Sequence, residues 1–247
     1  MTMVKCENLK KYFKGRTGTV KALDGVSLEI RKGEVFGLVG ESGCGKTTLG
    51  KIILGIMKPD SGVVTLETKK VQVVFQDPYN SLDPKMKIFD VLAEGLAIKG
   101  QTSHTINNKL TMILDLISLP KSSLKKYPHQ FSGGERQRIA IGRAVLTDPE
   151  FIVCDEPVSS LDVTIQLQIL NLLKDIQKKL NLTCLFISHD LKVIKFICDR
   201  VAVMYHGKVV ETGSVHDIYT SATIPYTKAL LKAAFYDSIK NDGTDSL

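Results

Sequence analysis

The sequence predicts an α/β fold with a mainly parallel sheet, an antiparallel β layer at the N-terminal end and a helical segment inserted into the core. Three observations predict it. The apolar run Val35–Val39 passes through a glycine-rich turn into Leu49, Ile52, Ile53 and Ile56 at helical spacing, which reads as strand, turn and helix. From Phe151 to Glu211 short apolar runs alternate with helical patterns, as parallel βαβ units require. A second apolar run, Phe151–Cys154, ends in the acids Asp155 and Glu156, at the sheet edge where such folds bind ligands.

Taken in order, Met3–Leu9, Val20–Leu23 and Val26–Ile30 read as two or three strands, closed by the turn Arg31-Lys32-Gly33-Glu34. After the first helix, Lys58-Pro59-Asp60-Ser61-Gly62 breaks the chain. The alternating Val63, Val64, Leu66 and then Val71–Phe75 are expected to form a further antiparallel layer. Helical segments at Ile88–Ile98, Ile106–Ile117 and Gly133–Leu146 make up an inserted subdomain of about 77–148. The core resumes with Phe151–Cys154 and a long amphipathic helix, Asp162–Leu180, whose predicted inner face is Ile165, Ile169, Leu172, Leu173, Ile176 and Leu180. The strand Cys184–Ile187, the helix Leu191–Cys198 and strands around Val201–Tyr205 and Lys208–Glu211 complete it. One domain over residues 1–237 is expected, with a disordered tail at 238–247.

Composition sets bounds on function. With 247 residues, 43% hydrophobic and 24% charged, the chain has the make-up of a soluble globular protein. No apolar stretch reaches the roughly 20 residues that cross a bilayer, and Met1–Lys5 begins no signal peptide, so the expected location is cytosolic. The five cysteines are scattered, with no C-x-x-C pair for zinc or a redox dithiol. The net charge of +7 is spread in pairs such as Lys10-Lys11 and Lys178-Lys179 without interleaved aromatics, so no nucleic acid is expected as a partner.

The chemistry centres on Gly40-Glu41-Ser42-Gly43-Cys44-Gly45-Lys46-Thr47-Thr48. Gly40, Gly43 and Gly45 let the backbone curl so that several N–H groups face one concavity, and the start of the following helix adds positive field. A triphosphate fits such a cradle, with Lys46 reaching its outer phosphates and Thr47 offering a hydroxyl to Mg²⁺. Cys44, a thiol among phosphate-binding amides, is expected to be a small inert side chain, with a lowered pKa and reactivity as the alternative. Asp155 would hold Mg²⁺ and Glu156 would orient or deprotonate the attacking water.

A second anion site arises where Ser132-Gly133-Gly134-Glu135 opens a helix. One phosphate loop already satisfies one nucleotide. The second site is therefore expected to complete a nucleotide held by another copy or a relative, in a head-to-tail pair.

These motifs, with Gln76 after a strand, Ser160-Leu161-Asp162 and His189, resemble in order and spacing the ATP-binding subunits of ABC transporters, over residues 3 to about 235. The resemblance implies a P-loop NTPase core with ATP and Mg²⁺ as cofactors. It implies that Gln76 contacts Mg²⁺ and water and senses the membrane partner, and that Ser132 and Gly134 touch the γ-phosphate bound by the opposite subunit. Asp162 would couple the two sites, and His189 would hold the γ-phosphate and Glu156. An aromatic in the first turn stacks on adenine in such proteins, here Phe13, with Tyr12 the alternative. The implied partners are transmembrane permease subunits, a second ATP-binding subunit, identical or paralogous, and, indirectly, an extracellular binding protein. The location implied is the inner face of the membrane.

Val74-Phe75-Gln76-Asp77-Pro78-Tyr79, Tyr127-Pro128-His129 and Pro225-Tyr226-Thr227 are similar to the oligopeptide, dipeptide and nickel importer group. They carry no evident catalytic need. Glu135 stands where a Gln is usual and puts a negative charge near the γ-phosphate site, with Arg136 beside it as a possible compensation. A short Gly62–Gln76 stretch and Ile224 in place of a common His are further departures, so the cargo stays open between peptide and nickel complexes. The competing reading is a soluble ABC ATPase acting on nucleic acid or ribosomes; a P-loop kinase would leave Ser132–Glu135 without a role.

Overall fold

A computed structural model describes residues 1–15, 18–77 and 81–241, with side chains as far as Phe235. In chain order the strands are β1 (Thr2–Gly15), β2 (Gly18–Arg31), β3 (Val35–Val39), β4 (Ser61–Leu66), β5 (Val71–Val74), β6 (Phe151–Asp155), β7 (Thr183–Ser188), β8 (Arg200–Tyr205) and β9 (Lys208–Ser214). The helices are α1 (Lys46–Ile53), α2 (Ile88–Ile98), α3 (Ser103–Leu116), α4 (Gly133–Val145), α5 (Val163–Leu180), α6 (Leu191–Ile197), α7 (Val215–Ser221) and α8 (Pro225–Asn241). They fall into two compact units: Met1–Glu67 with the chain from Leu185 onward, and Thr68–Cys184.

In the first unit, β2, β1 and β4 form an antiparallel sheet in that order. The N-terminal strands are longer than the sequence pattern suggests. Val20–Leu23 and Val26–Ile30 are one strand, bent at Gly25 (φ +86°), where the register against β1 shifts. The break in the alternation that divides them in the sequence is a bulge, which interrupts pairing without ending it.

A second, mainly parallel arrangement holds the phosphate loop. β3 lies parallel to β8, from Phe36 opposite Arg200 to Val39 opposite Val203, and β9 closes that edge antiparallel. All five residues of β3 are buried, which fits a strand covered on both faces. Its entry is fixed by charge. Glu34, only 8% exposed, accepts from Arg200 Nη1 at 3.1 Å, and Asp199 accepts from the Val35 N–H at 2.8 Å. The Arg200 guanidinium also lies 5.2 Å from the Phe36 ring centroid. Full burial of Phe36, Leu38 and Leu49 contributes about 1.5–3 kcal/mol for each side chain.

In the second unit β5 runs parallel to β6, from Val71 opposite Phe151 to Val74 opposite Cys154. This corrects the expectation for Val71–Phe75: the segment belongs to the parallel core and not to the antiparallel layer. Alternation of apolar residues marks a strand but cannot name its partner. Helices α2, α3 and α4, with short 3₁₀ turns at Lys121–Lys125 and Pro128–Gln130, make the helical subdomain. On α5 the buried residues are Ile169, Leu170, Leu172 and Ile176, whereas Leu180 is exposed and Leu170 takes a place the predicted inner face omitted. At the C-terminal end α8 runs to Asn241, past residue 237 where the tail was expected to begin; residues 242–247 lie outside the described ones, as do Pro78 and Tyr79.

Candidate functional site

The first unit carries Gly40–Thr48, His189 and Phe13; the second carries Gln76, Ser132–Glu135, Asp155, Glu156 and Asp162.

Gly40–Gly45 turns from β3 into α1 with φ of +154° at Gly40, +81° at Gly43 and +111° at Gly45. Two of these glycines are also places where backbone meets backbone. A Cβ at Gly40 would lie 2.2 Å from the Met204 carbonyl oxygen, and one at Gly45 would lie 2.1 Å from that of Ala22. The loop is tied down further by the Gly207 N–H, which donates to the Cys44 carbonyl at 3.0 Å. Helix α1 begins at Gly45 with no side-chain cap and no acid in its first turn. A helix start without a side-chain cap or an acid presents its positive end to an anion.

Lys46 is 5% exposed, and its Nζ donates to the Gly40 carbonyl at 2.7 Å and the Glu41 carbonyl at 2.9 Å. Glu41, Ser42 and Thr47 are exposed and Thr48 is half-buried, while Cys44 is buried. Burial pushes the Cys44 thiol up, against a smaller opposing pull from Lys46. The alternative of a lowered pKa is thereby set aside: the amides and the lysine are visible in the sequence, but the burial that outweighs them is not. None of the five cysteines is in a disulfide.

Phe13 is 41% exposed on β1, with Lys11 Nζ 5.7 Å from its ring centroid. Tyr12 faces otherwise: its hydroxyl donates to Asp24 at 2.6 Å and its ring lies under Lys21. Phe13 is accordingly the ring offered to solvent. His189 is exposed just past the buried end of β7, where Ser188 Oγ accepts from the Asp190 N–H at 3.0 Å and Asp190 caps α6.

In the second unit β6 delivers Asp155 and Glu156 at its carboxyl end. Glu156 has φ +48°, a left-handed backbone that costs a side-chain-bearing residue about 1–2 kcal/mol. The turn is closed by the Ser159 N–H, which donates to the Glu156 carbonyl at 3.3 Å. Gln76 Nε2 reaches Glu156 Oε2 at 3.5 Å, which brings together two residues separated by 80 positions.

Ser132 begins α4 in a reciprocal capping box. Its Oγ accepts from the Glu135 N–H at 3.3 Å, and Glu135 Oε2 accepts from the Ser132 N–H at 2.8 Å and from the Ser132 hydroxyl at 2.9 Å. The unusual Glu135 is thus drawn back onto its own helix start, where negative charge is favoured. Arg136 Nε donates to the Phe131 carbonyl at 2.9 Å. Gly133 and Gly134 pack on the segment around Asp162: a Cβ on Gly134 would lie 2.5 Å from Ile165 Cγ2, and Asp162 caps α5 by accepting from the Ile165 N–H at 3.0 Å. Because Ser132 caps α4, Ser132→Ala is expected to lower stability by about 1 kcal/mol apart from any effect on nucleotide. A urea unfolding curve indistinguishable from wild type would contradict that.

The profile of the ABC transporter family matches residues 23–159. The chain belongs to that family. As an ATP-binding cassette it has relatives similar over most of its length. A putative peptide import ATP-binding protein of Brucella ovis is 46% identical over 247 residues, covering 94% of this chain and 78% of that one. The oligopeptide transport ATP-binding protein OppF of Bacillus subtilis is 45% identical, covering 94% and 82%. Among solved structures, cbiO1 of Clostridium perfringens, part of an ABC transporter complex, aligns with a TM-score of 0.80 at 26% identity over 97% of each chain. The dimeric cassette MJ0796 bound to ADP and Pi aligns at 0.77 and 26%, over 86% of this chain and 99% of that one. The cassette is thus an ABC-type ATPase subunit, and the alternative of a kinase or a nucleic-acid ATPase has no support from these relatives. Among the described residues no helix is long and apolar enough to cross a membrane.

Tyr226 has no role legible in the sequence, yet its hydroxyl accepts from the Glu41 N–H of the phosphate loop at 3.4 Å. Its signal was the Pro225-Tyr226-Thr227 stretch, a resemblance without a function.

Proposed function

We propose that this cassette hydrolyses ATP to drive peptide import through transmembrane permease subunits, peripheral to the membrane and paired head-to-tail with a second ATP-binding subunit. The observation that carries it is the phosphate loop, with the uncapped amides of α1 beside a buried lysine. The choice of peptide over nickel rests on the names of the relatives, which are peptide and oligopeptide import proteins.

On this reading Lys46 exchanges the carbonyls of Gly40 and Glu41 for the outer phosphates of ATP, and the amides of residues 41–48 cradle the rest. Phe13 stacks on adenine. By the resemblance, Thr47 of the first unit and Gln76 and Asp155 of the second would each offer Mg²⁺ a hard oxygen: a hydroxyl, an amide oxygen and a carboxylate. When bound, Mg²⁺ would neutralise charge on the phosphates. Glu156 takes the proton of the attacking water, and Gln76 orients that carboxylate. His189 donates to the γ-phosphate.

Ser132 and the Gly133–Glu135 amides would meet the γ-phosphate of the paired subunit's ATP, and Asp162, packed with them, would couple the two sites. To donate to that phosphate the Ser132 hydroxyl must leave Glu135 Oε2. Glu135 therefore competes with the phosphate for one proton. In the second unit, a cleft of about 300 Å³ between α2 and α3, lined by Phe89, Ala93 and Ile106 together with the acids Asp90 and Glu94, is where a side chain of a permease subunit would dock.

The test is purification from detergent-solubilised membrane, followed by reconstitution with the proteins recovered. Permease subunits should be recovered, and ATP hydrolysis should rise when a peptide-loaded binding protein is added. Stimulation by a nickel complex alone would overturn the cargo, and recovery of ribosomes or nucleic acid instead of permeases would overturn the transport role.

A further inference from the structure

The Pro225-Tyr226-Thr227 stretch takes no part in the chemistry proposed above, yet it touches the loop that does. The Glu41 N–H donates to the Tyr226 hydroxyl at 3.4 Å, across 185 positions of sequence. The Gly40 carbonyl, the other end of the same peptide unit, accepts from Lys46 Nζ at 2.7 Å. One peptide of the phosphate loop is therefore held at both ends by side chains, and only one of the two belongs to the loop.

The tyrosine is itself held in place. Its ring lies 4.1 Å, centroid to centroid, from that of Tyr205 at the end of β8, tilted by 35°. The approach to α8 is fastened by Glu211 of β9, whose carboxylate accepts from the Thr223 N–H at 2.7 Å, the Thr223 hydroxyl at 2.8 Å and the Ile224 N–H at 3.4 Å. Thr227, the next residue after the tyrosine, is 1% exposed. The β8–β9 turn that presents Tyr205 also sends the Gly207 N–H to the Cys44 carbonyl of the loop.

We infer that Tyr226 is a positioning residue for the phosphate loop, its hydroxyl fixing the orientation of the Gly40–Glu41 peptide when Lys46 turns away to phosphate. The inference rests on the reading of Gly40–Thr48 as an ATP-binding loop. With Lys46 on phosphate, the Gly40 carbonyl has given up its cation, and Gly40 at φ +154° is a residue whose backbone rotates at little cost. A peptide free to rotate there would have to be ordered again each time nucleotide binds. The Tyr226 hydroxyl keeps it ordered beforehand, which is preorganisation of a binding loop from outside it.

Tyr226→Phe removes the acceptor and keeps the ring against Tyr205. Two measurements on the nucleotide-free protein and one with ADP test it: exchange of the Glu41 amide by NMR, the thermal midpoint, and ADP affinity by calorimetry. Expected are faster exchange at Glu41, an unchanged midpoint, and affinity lower by about three- to tenfold, the effect of one modest hydrogen bond. Unchanged exchange or unchanged affinity overturns the role of Tyr226. A lowered midpoint with exchange accelerated throughout β3 and α1 also overturns it, since the tyrosine would then be a general packing residue. Failure of the wild-type protein to bind ADP would instead strike the reading of the loop, and shows before the variant is compared.

Discussion

Glu156→Gln is expected to reduce ATP turnover by about 10²–10⁴-fold while leaving ATP binding intact, so that an ATP-bound pair accumulates. The range is that of losing a positioned general base, about 3–5 kcal/mol on the barrier. Geometry makes the substitution a clean one. Glutamine has the shape of glutamate and enters the left-handed position at φ +48° under the same backbone strain, so the turn closed by Ser159 need not move. The Gln76 amide at 3.5 Å can still donate to the new side-chain oxygen, which preserves the pairing that orients the group. What changes is the capacity to accept a proton. Phosphate release measured with any partner subunits present, together with size-exclusion chromatography in ATP, gives the two readouts. Turnover near wild type would remove Glu156 from the role of base; loss of ATP binding would show that its charge serves the ground state instead.

How much of this was legible in the sequence depended on how local the determining contacts are. β3 is buried at every position and the loop after it follows directly in the chain, so strand, turn and helix could be read together. Asp155 and Glu156 were legible for the same reason, ending an apolar run. Val71–Phe75 was misplaced because its partner, β6, lies about 80 residues further on, and the alternation of a short strand says nothing about which edge it joins. Phe13 was preferred to Tyr12 on the resemblance alone; the contact that turns the Tyr12 hydroxyl to the Asp24 carboxylate is not legible in sequence. The choice between an inert and a reactive Cys44 could not be made in sequence, because its nearest charge is a sequence neighbour whereas its burial depends on distant segments such as the turn at Gly207. Tyr226 was noticed as a pattern but given no role, since its contact with Glu41 spans most of the chain.

The largest effect on the loop itself is expected from Gly45→Ala, and the contrast with Gly43→Ala explains why. Both glycines have positive φ, +111° and +81°, so an alanine at either position carries backbone strain of about 1–3 kcal/mol. At Gly43 nothing lies within 4 Å of the added Cβ, and strain is the whole cost. At Gly45 the Cβ would come 2.1 Å from the Ala22 carbonyl oxygen, an atom of the β2 backbone that has no rotamer with which to retreat. Relief requires moving either β2 or the start of α1. β2 is anchored close by, since the Asp24 N–H donates to the Gly207 carbonyl at 2.8 Å, so α1 is the element that gives way. Its first turn, where Lys46 and the uncapped amides sit, then leaves the positions that make the cradle. Gly43→Ala is therefore expected to cost about 1–2 kcal/mol in urea unfolding and to weaken ADP binding by about tenfold at most. Gly45→Ala should cost about 3 kcal/mol or more and abolish measurable ADP binding. Equal losses from the two variants would mean that φ alone governs the loop. A harmless Gly45→Ala would mean that β2 does not press on the start of α1.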